Sequence, residues 1–150
     1  MLSLSCKAAI KAVVFLGSKK TLGIRVGIGE IAEHINENEH TVGKMLQKLV
    51  KAEVINSMKG PTGGFYLNDA QLELPIIRIV EAIDGHEIFT QCGLGLSECT
   101  STQPCPIHND YKSVRDLFHS LCSNKKVKEL CEPVSKGLRS EEHTSELQSQ

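Results

Sequence analysis

Three cysteines and a histidine are spaced as Cys92-x6-Cys99-x5-Cys105-x2-His108. Thiolates and imidazoles are ligands for soft and borderline metals, and three thiolates with one ring nitrogen can complete the coordination of an iron–sulfur cluster. The wide, uneven gaps suit a cluster better than zinc, whose structural sites favour pairs about two to four residues apart. Pro104 and Pro106 stiffen the chain on either side of the last thiol. A surface zinc site and three metal-free thiols are the competing readings. Glu98, Asp110 and His86 stand beside His108 as candidates for the fourth ligand. Cys6, Cys122 and Cys131 have no ligand spacing and read as core or incidental residues.

A second constellation is polar and cationic. Val42, Met45, Leu46, Leu49 and Val50 recur at the spacing of one helical face. With that face buried, the opposite one offers His40, Thr41, Gly43, Lys44, Gln47, Lys48 and Lys51. Such a helix presents its first residues to base edges and its later basic residues to phosphates. Asn38 is placed to cap it and joins the candidate DNA-contacting set with His40, Thr41, Lys44 and Lys48. Lys59 opens a Gly/Pro-rich turn, where the backbone can approach a minor groove or a phosphate closely. A solvated lysine-rich face is the plain alternative for each of these cations.

The elements that must position these groups follow from periodicity. Ser3 to Leu16 reads as a helix, and a loop with Gly23 and Gly27 follows it. Ile28, Ile31, Ala32 and Ile35 mark a short second helix. Asn36-Glu37-Asn38 is a polar turn, so the second and third helices form a helix-turn-helix. Val54–Met58 and Phe65–Leu67 flank Lys59-Gly-Pro-Thr-Gly-Gly64 and form a hairpin, placed as a wing. Leu74 to Ile83 reads as a helix ended by Asp84-Gly85, and Cys92 to Cys105 as a loop. Pro106 to about Ser123 is a helix with Val114, Leu117, Phe118 and Leu121 on one stripe. The fold class is mostly α with a small β-hairpin wing: a winged helix-turn-helix plus a long C-terminal dimerisation helix. Residues 1–70 form the DNA-binding region, and 71–138 hold the linker helix, cysteine loop and dimerisation helix.

Charge is divided in the same way. Residues 1–64 hold nine Lys/Arg against five Asp/Glu, and residues 65–138 hold seven against ten. A basic head on an acidic body suits nucleic-acid binding. No run is long and apolar enough to span a bilayer, and too few residues precede Cys6 for a lipoprotein leader. A cytoplasmic location with no membrane partner is therefore expected, and there, where thiols stay reduced, six cysteines argue for metal or redox chemistry over a disulfide framework. No phosphate loop, dinucleotide fingerprint or spaced nucleophile–base pair points to an enzyme. Residues 139–150 resemble the in-frame translation of a DNA-sequencing adapter. They are set aside as non-native, and native sequence beyond about Leu138 is expected to be missing.

Several of these residues carry a resemblance. The opening Met1-Leu2-Ser3 with Lys7-Ala8-Ala9-Ile10, the Glu30-Ile31-Ala32-Glu33 helix, Lys59-Gly-Pro-Thr-Gly-Gly-Phe65 and the cysteine loop resemble the Rrf-two (Rrf2) family of bacterial regulators. The resemblance implies a homodimer, paired through the helix from about Pro106, that sets two recognition helices on a palindromic double-stranded operator. It implies ligation by Cys92, Cys99 and Cys105. The Cys-Cys-Cys-His order is similar to that of the iron–sulfur-assembly regulator, which favours a [2Fe-2S] over a [4Fe-4S] cluster. The nitric-oxide-sensing repressors instead add an N-terminal aspartate, and Lys7 stands at that position here. Glu53 replaces the glycine that usually ends the recognition helix. The expected function is therefore a sequence-specific DNA-binding regulator controlled by a cluster that senses redox state, nitric oxide or cluster supply. A cluster-free regulator with a protein partner and an iron–sulfur electron-transfer protein are the alternatives.

Overall fold

The computed structural model describes residues 2–96 and 100–135. Its central element is α1, Leu4–Lys19, whose Ser3 N-cap hydroxyl accepts from the Cys6 N–H at 3.0 Å. Ser3 is itself anchored, its N–H donating to Asp84 Oδ2 at 3.2 Å. One face of α1 buries Cys6, Ala9, Ala12, Val13, Phe15, Leu16 and Gly17. Helices α2 (Ile28–Ile35) and α3 (Glu39–Lys51) pack on each other and on α1. Asn36 ends α2 in the left-handed region at φ 57°, a conformation that Asn tolerates better than most residues.

The end of α3 shows the same device with a less suitable residue. Val54 N–H donates to Leu49 O at 3.0 Å and Glu53 N–H to Val50 O at 2.9 Å, which is a Schellman closure. Glu53 sits at φ 62° to make it. Val54 and Leu49 are both buried, giving the apolar contact that accompanies this motif.

The wing consists of β1 (Asn56–Met58) and β2 (Gly64–Tyr66), antiparallel with Ser57 opposite Phe65. A third rung comes from before α2: Val26 and Phe65 exchange two backbone hydrogen bonds at 2.9 and 2.8 Å. Gly64 has φ 146°, and a Cβ there would stand 2.8 Å from Val26 O, so the rung requires glycine.

Beyond the wing lie α4 (Asp69–Leu72), α5 (Ile77–Asp84), α6 (His108–Asn124) and α7 (Val127–Ser135). The helix expected from Leu74 starts only at Ile77. Pro75 disfavours a helical Leu74, and this strip instead pairs with the α6–α7 link, through Ile76 N–H to Lys125 O at 2.8 Å and Val127 N–H to Leu74 O at 2.9 Å. Helix α6 begins at His108 rather than Pro106, and α1 runs on to Lys19.

Two helices were not anticipated. The four-residue α4 is held by an Asn68–Gln71 capping box. The other, α7, docks on α1 where Gly17 meets Cys131, so closely that a Cβ on Gly17 would overlap the Cys131 sulfur. Leu16, Ile31, Leu46, Leu49, Ile79 and Val127 are fully buried in one continuous core. That core draws on residues from both sides of position 70. No helix among the described residues is long and apolar enough to cross a membrane.

Candidate nucleic-acid interface and cysteine loop

Helix α3 owes its exposed face to its buried one. Val42, Met45, Leu46 and Leu49 are buried, and His40, Thr41, Lys44 and Lys48 are exposed. Asn38 is exposed too, but its Oδ1 accepts from the N–H groups of His40 at 2.7 Å and Thr41 at 3.3 Å. That oxygen sets the start of the helix, leaving its amide NH2 for other contacts. Gly43 faces α2, where a Cβ would stand 3.0 Å from Ile28 Cδ1. It is a packing residue more than a surface one. His40, Thr41, Lys44 and Lys48 share a cleft with Leu4, Ser5 and Ala8 of α1.

Lys59 is exposed in the wing turn, which Gly63 N–H closes onto Gly60 O at 3.0 Å. Among the described residues no carboxylate pairs with Lys44, Lys48 or Lys59. Arg25, next to the Val26 bridge, stands outside the DNA-contacting set that the sequence suggests. Its Nη1 donates to Thr62 O of the wing turn at 3.2 Å, and its guanidinium carbon lies 6.0 Å from the Tyr66 ring centre. The short β-prone run Ile24-Arg25-Val26 after Gly23 is the signal that would have found it.

The cysteine loop leaves a short 3-10 turn, Glu87–Phe89, whose buried Phe89 packs on Phe118 and His119 of α6 at ring distances of 5.7 and 4.9 Å. Cys92 Sγ and Cys105 Sγ are 3.6 Å apart. The Leu94 N–H donates to Cys92 Sγ at 3.4 Å, and Gly95 N–H to Cys92 O at 3.0 Å. Cys105 is buried, and its carbonyl accepts from His108 N–H at 3.0 Å as α6 begins. Two thiolates bound about 2.3 Å from one tetrahedral metal stand roughly 3.8 Å apart, so this thiol pair fits one metal centre.

Cys99 and Glu98 lie outside the described residues. His108 is half-buried in the first turn of α6, and Asp110 is exposed beside it. His86 is held elsewhere, with Nδ1 3.3 Å from Glu81 Oε2 and its ring against Phe89. Among the described residues no three His, Cys, Asp or Glu side chains stand together as a metal-ligating group. The described geometry therefore unites Cys92 and Cys105 and does not add His108 to them.

A helix-turn-helix with a three-rung wing, followed by a cysteine loop at the head of a long helix, has counterparts among known proteins. The family model described as Rrf2, iron-dependent transcriptional regulator, matches residues 2–133. The chain belongs to the Rrf2 family. A Neisseria meningitidis protein named as an HTH-type transcriptional regulator is 23% identical over 129 residues, spanning 86% of each chain. An Aquifex aeolicus protein named likewise is 25% identical over 107 residues, spanning 70% of this chain and 74% of its own. CymR, the global cysteine regulator of B. subtilis, superposes with a TM-score of 0.72 at 16% identity, covering 88% of this chain and 96% of its own. IscR of T. potens superposes with a TM-score of 0.71 at 15% identity, covering 93% and 92%. At these identities the two structures establish a shared winged-helix fold. Rrf2 proteins are DNA-binding transcription regulators and not enzymes, and so is this chain.

The remaining cysteines of this Rrf2 chain are sealed in the core. Burial, then the Asp84 charge and Cys122, pushes the Cys6 thiol up to about 12. Burial and Glu132 push Cys131 up to about 11, and burial raises Cys122. Because the thiolate is the ligand and the nucleophile, none of the three is poised to compete with Cys92 and Cys105.

The apolar stripe expected on α6 divides in two. Val114, Leu117 and Leu121 are 51, 73 and 51% exposed. Phe118 turns inward onto Phe89, because its place one residue after Leu117 rotates it by about 100° around the helix.

Proposed function

We propose that this Rrf2 regulator binds a palindromic operator as a homodimer under the control of an iron–sulfur cluster, [2Fe-2S] in preference to [4Fe-4S]. Cys92, Cys99 and Cys105 would hold it, with His108 as the fourth ligand. The observation that carries this reading is the pair of thiols 3.6 Å apart, one of them accepting a backbone N–H. Hydrogen bonds to sulfur of that kind are among the features that tune cluster potentials. When bound, the cluster supplies a redox-active centre that reacts with oxidants and nitric oxide.

The chain's own residues do the rest. Thr41 and Lys44 meet base edges, while His40, Lys48 and the Asn38 amide meet the backbone. Lys59 and the braced Arg25 enter a minor groove from the wing. The division near residue 70 is one of task, with residues 1–70 reading DNA and 71–138 sensing and pairing. Helix α5 packs on both α3 and α6, giving the loop a material route to the recognition helix. The exposed Val114, Leu117 and Leu121 face would pair with its counterpart in a second copy.

Anaerobic purification, with iron, sulfide and duplex binding measured together, tests this reading. The proposal expects coloured, dimeric protein that loses its iron when Cys92, Cys99 or Cys105 becomes Ala and keeps it when Cys122 or Cys131 does. Leu117→Asp should place unpaired charge in the dimer face and give monomers that bind DNA poorly. Duplex binding by a protein that never holds iron would favour a cluster-free regulator acting through a protein partner. Iron without duplex binding would favour electron transfer.

A further inference from the structure

One cation lies beneath the cysteine loop and has no assigned role. Arg115, on the inward side of α6, donates from Nη1 to the carbonyl oxygen of Gln91, the residue before Cys92. On the other side of Cys92, Gly93 lies against Tyr111, so closely that a Cβ would stand 2.7 Å from the ring. The Arg115 guanidinium carbon is 5.9 Å from the centre of that same ring. Helix α6 thus grips the loop on both flanks of Cys92, and arginine supplies one of the two grips.

The Arg115 Nε atom is buried, with no hydrogen-bond partner among the described residues. Native proteins rarely leave a buried donor unpaired, least of all on a group that stays charged at every working pH. Asp116, whose charge also interacts with Arg115, takes the Lys112 ammonium at 2.8 Å and makes no hydrogen bond to Nε. A loop of cysteines ligating a metal centre is a different matter. Thiolates bring negative charge to a loop whose backbone this guanidinium already holds beside Cys92, and sulfur accepts N–H donors.

We infer that Arg115 is the positioning residue of the cysteine loop, fixing the Cys92 limb on α6 and setting a permanent positive charge against the ligated thiolates. The inference rests on the cluster reading above. A positive charge nearby favours the reduced, more negative state of a cluster, so Arg115 raises its reduction potential. It also slows the loop's departure from α6, and with it the release of iron. Tyr111 touches both partners of this arrangement, Gly93 and the guanidinium.

The experiment compares wild type, Arg115→Gln, Arg115→Lys and Lys112→Gln, each reconstituted anaerobically. Reduction potential is measured by dye-mediated titration, and iron release by the rate of transfer to a chelator. Arg115→Gln is expected to lower the potential and release iron severalfold faster. Arg115→Lys keeps the charge and loses the fork, so its potential should stay near wild type while its iron leaves faster. Lys112→Gln removes an exposed charge from the same helix and should change neither. An unmoved potential in Arg115→Gln, or an equal shift in Lys112→Gln, overturns the inference and leaves the cluster reading standing. Wild type that takes up no iron overturns both. Should Arg115→Gln fail to fold, Arg115→Lys decides: a lowered potential with unchanged iron release is the pattern that sinks the proposal.

Discussion

In α3 the side chains proposed to meet DNA are held by what lies behind them. Val42, Met45, Leu46 and Leu49 are buried against α1, α2 and α5, so Thr41, Lys44 and Lys48 have only one side on which to stand. The cysteine loop has little behind it. Among the described residues between Thr90 and Ile107, Cys105 alone is buried, and Cys92 is half-buried. Its shape comes from local turns, such as Gln103 N–H to Thr100 Oγ1 at 3.0 Å, and from the grip of Tyr111 and Arg115. A helix face is thus fixed by apolar burial before any partner arrives. A ligand loop of this kind gains much of its order from what it ligates.

Metal removal is the strongest way to press that contrast. Treating iron-loaded protein with a chelator should speed proteolysis within residues 90–107 by at least ~10-fold, while α3 amide exchange stays within about a factor of two. Equal loss of protection in both regions would mean that the two share one unit of stability. Gly17→Ala attacks the head's support from the other direction. The added methyl must displace the Cys131 sulfur, and overpacking of this kind costs about 1–3 kcal/mol. Thermal unfolding should report that loss, with iron content per folded chain unchanged.

Smaller effects sharpen the DNA side. Lys59→Ala and Lys48→Ala should each flatten the salt dependence of duplex binding by about one unit. Thr41→Ala should instead alter sequence preference. A salt slope that does not move for Lys59→Ala would remove the wing from the interface. Glu53→Gly should stabilise the fold by about 1 kcal/mol, since a side chain in the left-handed region is strained there and glycine is not. Urea unfolding that shows no gain would mean that the Glu53 side chain compensates for its own backbone.

The head was legible because burial imposes a period. Ile31, Ala32 and Ile35 in α2 and the four buried residues of α3 stand where their spacing put them, and Gly/Pro punctuation marked the wing. What escaped had a weaker period or a non-local cause. Helix α4 is a single turn made by a capping box, too short to show any. Helix α7 carries Val127, Leu130 and Cys131 at helical spacing, but only the docking on α1 gives that brief pattern its meaning. The late start of α5 depends on pairing with residues some fifty positions away. Phe118 reads as part of the outer stripe until Phe89 is in place to receive it. The cysteine spacing is the ground for proposing metal chemistry, and spacing alone says nothing of Arg115, which reaches the loop across twenty-four positions of sequence.

The packing of Gly17 against Cys131 gives the molecule a built-in clock. The sulfur is buried against backbone, with no room for an added group of any size while α7 remains docked. Alkylation at this position therefore reports the first departure of α7 from α1 that lasts long enough to react, one covalent mark per chain. In an anaerobic sample whose loop thiols are engaged with metal, the slow rise of label on Cys131 would time how often the C-terminal helix lets go.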